Sequence, residues 1–145
     1  LSKAKNIGTR AETAVRNYLL SAGYTELEAH RNVLKGSDDE GDVWLRSLLG
    51  LVVFEVKGGK MAKEASFGQI EKWMAETETE RRNASAPLGF LVTQRPGVGY
   101  PRAGDWWAYA TLGDLVYLKT YSRASKQDKT IVRLTLKDLV KLIHG

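Results

Sequence analysis

The run Leu51-Val52-Val53-Phe54-Glu55-Val56-Lys57 is apolar until its last three residues, where Glu55 and Lys57 interrupt it. In an extended strand alternate side chains share a face, so Glu55 and Lys57 project the same way, about 7 Å apart. An uncompensated ion on a buried strand is costly, so the two must be paired, solvated or at work. Asp42, which follows Gly41, stands thirteen residues before Glu55. A short hairpin around Ser47 to Gly50 would lay 42–46 antiparallel to 51–57 and bring Asp42 to Glu55 at the same sheet edge. Two carboxylates and a backbone carbonyl, here that of Val56, form a hard-oxygen site suited to Mg²⁺, with Mn²⁺ as its natural substitute. A neighbouring lysine can orient or deprotonate a water and offset developing phosphate charge. The chemistry of such a set is phosphodiester hydrolysis. Paired carboxylates also serve glycoside hydrolysis, but Lys57 beside Glu55 fits phosphate better than sugar. Glu-x-Lys alone is equally well an exposed strand end with a loose ion pair.

The elements that must position these residues are legible from periodicity. Residues 8–23 place Ala11, Ala14, Val15, Tyr18, Leu19 and Ala22 on one helical stripe, with Gly23 as the stop. At about 100° per residue Glu12 falls only about 20° from Leu19, on the shoulder of that stripe and turned toward the sheet. A carboxylate favoured by the helix dipole is the structural alternative for it. Strands are expected at 27–34, 42–46 and 51–57, the last central and buried. Phe67, Ile70, Met74 and Thr77, with Trp73 at the edge, predict one long helix over about 62–82. A buried strand at 88–93, a Gly/Pro loop, an aromatic strand at 106–109 and a helix near 112–118 follow. A polar linker at 122–129, a strand at 130–134 and an amphipathic helix from Thr135 complete the chain. This order predicts an α/β (α+β) fold, a mixed central sheet flanked by helices. The expected division is a core over 1–118 and a basic extension over 119–145, packed on or next to it within a single domain.

Composition narrows the function classes. At 145 residues the chain is one domain long, and its formal charge of +5 favours a polyanionic partner. The surplus lies in residues 119–145, which hold seven basic and two acidic side chains. The chain has no cysteine, which excludes disulfides, thiolate nucleophiles, iron–sulfur clusters and Cys-based zinc sites. Two histidines, His30 and His144, cannot build a His-rich zinc site and have no triad partners nearby. No apolar run approaches a membrane span, and Leu1 to Arg10 has no signal-peptide core, so a soluble cytoplasmic protein without membrane partners is expected. Lys60 lacks the glycine and Ser/Thr context of a phosphate-binding loop, so no nucleotide cofactor is expected. Arg10, Arg16, Lys60 and Lys63 flank the acidic pair as DNA-phosphate contacts, with ordinary surface charge as the alternative. Of the run Asp38-Asp39-Glu40-Gly41-Asp42, only Asp42 sits at a strand boundary. Trp106 and Trp107 are adjacent, so in a strand one faces the core and the other faces outward.

Gly41-Asp42 followed by Glu55-Val56-Lys57 on adjacent strands resembles the PD-(D/E)XK nuclease superfamily, with Gly41 where the motif's proline usually stands. Gly8-Thr9-Arg10-Ala11-Glu12 ahead of Tyr18-Leu19, and Gln69 on the helix after the strand, are similar to Holliday junction resolvases of the archaeal and phage type. The resemblance runs from about Gly8 to Thr93. It implies a restriction-endonuclease-like core and an acidic site of Asp42, Glu55 and Glu12 with Lys57. It also implies a catalytic Gln69, a loop Ser37 near the scissile phosphate, and a homodimer acting on four-way DNA junctions with Mg²⁺. Gln69 supports the superfamily more than the resolvase branch. A repair or restriction-like nuclease of the same fold acting on linear or flapped DNA, and a non-catalytic DNA-binding module, are the remaining readings.

Overall fold

The computed structural model describes residues 3–32 and 42–145; Ser37 and Gly41 lie outside the described residues. Helix α1 (Lys3–Ser21) leads into strands β1 (Ala29–Arg31), β2 (Val43–Ser47) and β3 (Gly50–Lys57). Helices α2 (Gly59–Lys63) and α3 (Phe67–Asn83), strand β4 (Leu88–Thr93) and a 3-10 segment (Tyr100–Asp105) come next. The chain continues with β5 (Trp107–Thr111), α4 (Leu112–Thr120), a 3-10 segment (Arg123–Gln127), β6 (Ile131–Thr135) and α5 (Leu136–His144). The six strands form one mixed sheet in the order β1-β2-β3-β4-β5-β6. Only β3 and β4 run parallel, with Glu55 opposite Leu91 and Lys57 opposite Thr93. A parallel pair needs a crossover, and α2 with α3 supplies it. Among the described residues no helix is long and apolar enough to cross a membrane.

Alternation in β3 divides the sheet's two faces. Val52, Phe54 and Val56 join Phe90, Val92 and Ala108 in the main core, beneath Val15 and Leu19 of α1 and Leu139 and Ile143 of α5. On the opposite face Ile70 and Trp73 of α3 pack against Leu91 and Tyr109 in a smaller cluster. The tail belongs to this architecture: β6 pairs antiparallel with β5, and Leu136, Leu139, Val140 and Ile143 are buried. The expected hairpin is present, with Ser47 opposite Gly50.

Two expectations change. The single helix over 62–82 is broken into α2 and α3, because extended Ser66 caps a new start and its Oγ accepts the Gln69 N–H at 3.1 Å. The buried stripe of α3 is Ile70, Trp73, Thr77 and Glu80, while Phe67, in the first turn beyond the sheet's cover, is 66% exposed. Asp42 and Glu55 also meet away from the sheet's lateral edges, since β2 and β3 are interior strands. Trp106 is fully buried just before β5, and Trp107 is half-buried.

The contact between α1 and the end of β3 is tight enough to test. A Cβ on Gly58 would stand 2.6 Å from Ala11 Cβ, whereas one on Gly68 in α3 meets nothing closer than 3.9 Å. Gly58→Ala is expected to destabilise by roughly 1–3 kcal/mol through overpacking. Gly68→Ala is expected to stabilise by about 0.5–1 kcal/mol through helix propensity. Urea denaturation of the two variants measures both; equal effects would contradict this packing.

Candidate active site

The site forms where β2 and β3 part. Val43 is opposite Phe54, yet Asp42 also donates its backbone N–H to the Phe54 carbonyl at 2.9 Å. Two successive residues, Asp42 just ahead of β2 and Val43 at its start, therefore oppose one residue of β3, the arrangement of a bulge, which re-aims the side chain it carries. Asp42 Oδ2 accepts the Val56 N–H at 2.9 Å, so the carboxylate ends the ladder in place of a backbone carbonyl. A strand residue sends its N–H and C=O to the same neighbour, so the Val56 carbonyl points toward the Asp42 side too.

Glu55 faces α3 and is only 4% exposed. Lys57 Nζ lies 3.1 Å from its Oε2, while Oε1 is buried without a donor among the described residues. The other groups within hydrogen-bonding reach of this carboxyl are Asp42 and Glu80, themselves acids, so a bond among them requires a shared proton. Burial, countered by the bond to Asp42 and reinforced by Glu80, pushes the Glu55 carboxyl up to about 7. Burial pulls the Lys57 ammonium down, but Glu55, Glu76 and Asp42 more than offset this and its pKa ends raised. Lys57 is thus a firm cation at neutral pH, with Nζ 5.5 Å from the centre of the Trp73 ring. That favours charge offset and orientation over proton abstraction.

Around this centre Gln94 is buried at the end of β4. Its backbone N–H donates to the Lys57 carbonyl at 2.9 Å and its Oε1 accepts the Gly59 N–H at 2.8 Å, fixing the turn that follows Lys57. Gln69 is half-buried one helical turn before Trp73, along a shallow groove with Lys60, Met61 and Ser66. Lys60 and Lys63 are exposed on α2 just past Lys57. Glu12 belongs to the other face: its Oε1 pairs with Arg31 at 3.0 Å, and Arg31 stands opposite Val43 on the side covered by α1. Arg10 has its guanidinium 4.2 Å from the centre of the Tyr100 ring, and Arg16 bonds Asn17. The structure therefore brings together Asp42, Glu55, Val56 and Lys57 and adds Glu80 and Gln94. Glu80 continues the spacing of Ile70, Trp73 and Thr77; this was its signal, masked by its charge.

The donor set of Asp42, Glu55 and the Val56 carbonyl fits a hard divalent ion, because Glu55 Oε1 is a buried acceptor without a donor. Among the described residues no three His, Asp or Glu side chains are grouped to hold a metal by themselves, so backbone and solvent oxygens must complete any coordination.

A buried acid with a raised pKa makes stability depend on pH with a known sign. Below about 4.5 Glu55 is protonated whether folded or unfolded; as pH rises from there through about 7 the unfolded chain ionises first, and stability is lost. In chelator at pH 8, Glu55→Gln is therefore expected to raise stability, by on the order of 2–3 kcal/mol at most, and at pH 4 the gain should vanish. Urea denaturation at the two pH values checks this, and a loss of stability at pH 8 would contradict it. Compared with protein-family models, with curated proteins and with solved structures, the chain finds no match in any of the three.

Proposed function

We propose that this protein is a divalent-metal-dependent DNA endonuclease of the PD-(D/E)XK kind, acting on four-way junctions by phosphodiester hydrolysis. The observation that carries the reading is the meeting of Asp42, Glu55 and Lys57 at the parting of β2 and β3, with one oxygen of Glu55 buried and lacking a donor. Asp42, Glu55 and the Val56 carbonyl would hold Mg²⁺ or Mn²⁺. Bound there, the ion supplies Lewis-acid neutralisation of the scissile phosphate and a more acidic water. Lys57 adds a fixed positive charge beside the reacting oxygens, held in place by Glu55 and Trp73. Gln94 keeps the turn after β3 closed, so the Lys57 backbone cannot drift from Asp42. Glu12 acts in this reading as a positioning residue, anchoring Arg31 and with it the β1 and β2 pair. A homodimer belongs to the same reading, since two-fold symmetry would present two sites to the two related scissile phosphates of a junction.

The test is cleavage of an end-labelled four-way junction and a matched linear duplex, in Mg²⁺, Mn²⁺ or chelator. Paired symmetric nicks near the crossover, requiring metal and reduced roughly 100-fold or more by Glu55→Ala or Asp42→Ala, are expected. Glu12→Gln is expected to cost less, and Lys57→Arg to keep part of the rate that Lys57→Ala loses. Equal cutting of both DNAs would favour the repair or restriction-like nuclease. Tight binding with no cutting in any metal would leave the non-catalytic binding module. Light scattering of the active protein tests the dimer, which a strictly monomeric enzyme would contradict.

A further inference from the structure

Lys57 lies in a row that crosses the sheet: Lys57 is opposite Thr93, Thr93 opposite Trp107, and Trp107 opposite Thr135. Residues directly opposite share a face, so Trp107 stands on the face of Lys57 and α3, two strands away, or about 10 Å. Its indole packs at the edge of the Ile70, Trp73, Leu91 and Tyr109 cluster. Two guanidiniums lie over that one ring. Arg95, two residues beyond β4, has its central carbon 3.9 Å from the ring centroid, and Arg133 of β6 has its own 4.1 Å away. They come from the two strand neighbours of β5, one from each side. Arg95 also donates to the Asp105 carbonyl at 3.2 Å, which fixes its approach.

Two like charges held within stacking distance of one indole repel each other, and each gains only the attraction of the ring face to offset this. Among the described residues neither arginine is in an ion pair. Arg133 is exposed, and Arg95 and Trp107 are half-buried, so the pair is held in position yet reachable. Guanidiniums so arranged present fork donors to a polyanion at no further ordering cost. We infer that Arg95, Trp107 and Arg133 form a clamp for the phosphate backbone of a DNA strand that passes Lys57. At about two strand spacings from Lys57, the clamp grips the strand close to the scissile position. The ring is engaged by the arginines, so the contact is to phosphate and carries no base preference. The inference rests on the nuclease reading for the identity of the polyanion.

The experiment measures binding of an end-labelled four-way junction to wild type, Arg95→Gln/Arg133→Gln and Lys119→Gln/Lys141→Gln, in chelator over a salt series. The third protein removes the same charge from α4 and α5. Circular dichroism and urea denaturation confirm that each variant is folded, and single Arg133→Gln, at an exposed position, serves if the double variant is not. Loss of two phosphate contacts should make the slope of log affinity against log salt shallower by about 1.8. Affinity at low salt should fall about tenfold or more relative to the Lys119→Gln/Lys141→Gln protein, equally for junctions of different sequence. Slope and affinity indistinguishable from that protein would overturn the clamp. Cleavage by wild type in Mg²⁺ is scored separately. A cutting enzyme whose binding ignores Arg95 and Arg133 overturns the clamp alone, whereas clamp-dependent binding without cutting overturns the catalytic reading and leaves the clamp standing.

Discussion

A carboxyl buried at the point where two strands separate is the constraint around which this molecule is arranged. Glu55 is only 4% exposed, has two other acids within reach and one lysine to offset them. Such a group is expensive to keep, and a purely structural sheet would place a valine there. The structure tolerates it because everything beside it is fixed. Asp42 is turned inward by the bulge, Gln94 closes the turn beyond Lys57, and the main core anchors the other face of β3.

The two faces of the sheet divide the work. Burial is concentrated under α1 and α5, where the larger cluster lies and where Glu12 and Arg31 form an ion pair at the margin. The α3 face has a smaller apolar cluster and carries the unusual electrostatics: Glu55, Glu80, Lys57 over Trp73, and two arginines over Trp107. Of these cations Lys57 is offset by Glu55, whereas Arg95 and Arg133 rest on an aromatic face without an ion pair among the described residues, the arrangement on which the proposed phosphate contact rests. The C-terminal segment contributes Arg133 from a strand of the sheet itself, so part of the basic surplus of the tail is built into the α3 face.

Local physics made much of this readable in advance. The alternation in Leu51 to Lys57 put Glu55 and Lys57 on one face, and the glycine and serine around 47–50 made a hairpin with Asp42 at its far end. Both depend on neighbours close in the chain, where period and turn chemistry govern. The mixed sheet with flanking helices followed from the order of apolar patterns. Where periodicity was the sole guide it erred at a boundary. Phe67 continues the 3–4 spacing of α3 but falls in the first turn, beyond the sheet that would cover it.

What the sequence determined by itself, then, was the set Asp42, Glu55 and Lys57 and the strands that carry them, because strand alternation and a tight hairpin are encoded within a few residues. Only the tertiary structure decided the rest. The bulge that turns Asp42 onto the Val56 N–H arises from a mismatch between two strands, which neither strand shows alone. Glu80 enters because α3 lies on that face, and Arg95 and Arg133 converge because β4, β5 and β6 adjoin in that order. Pairing among distant segments is set by how whole faces bury one another, and no local pattern of charge or hydropathy carries that information.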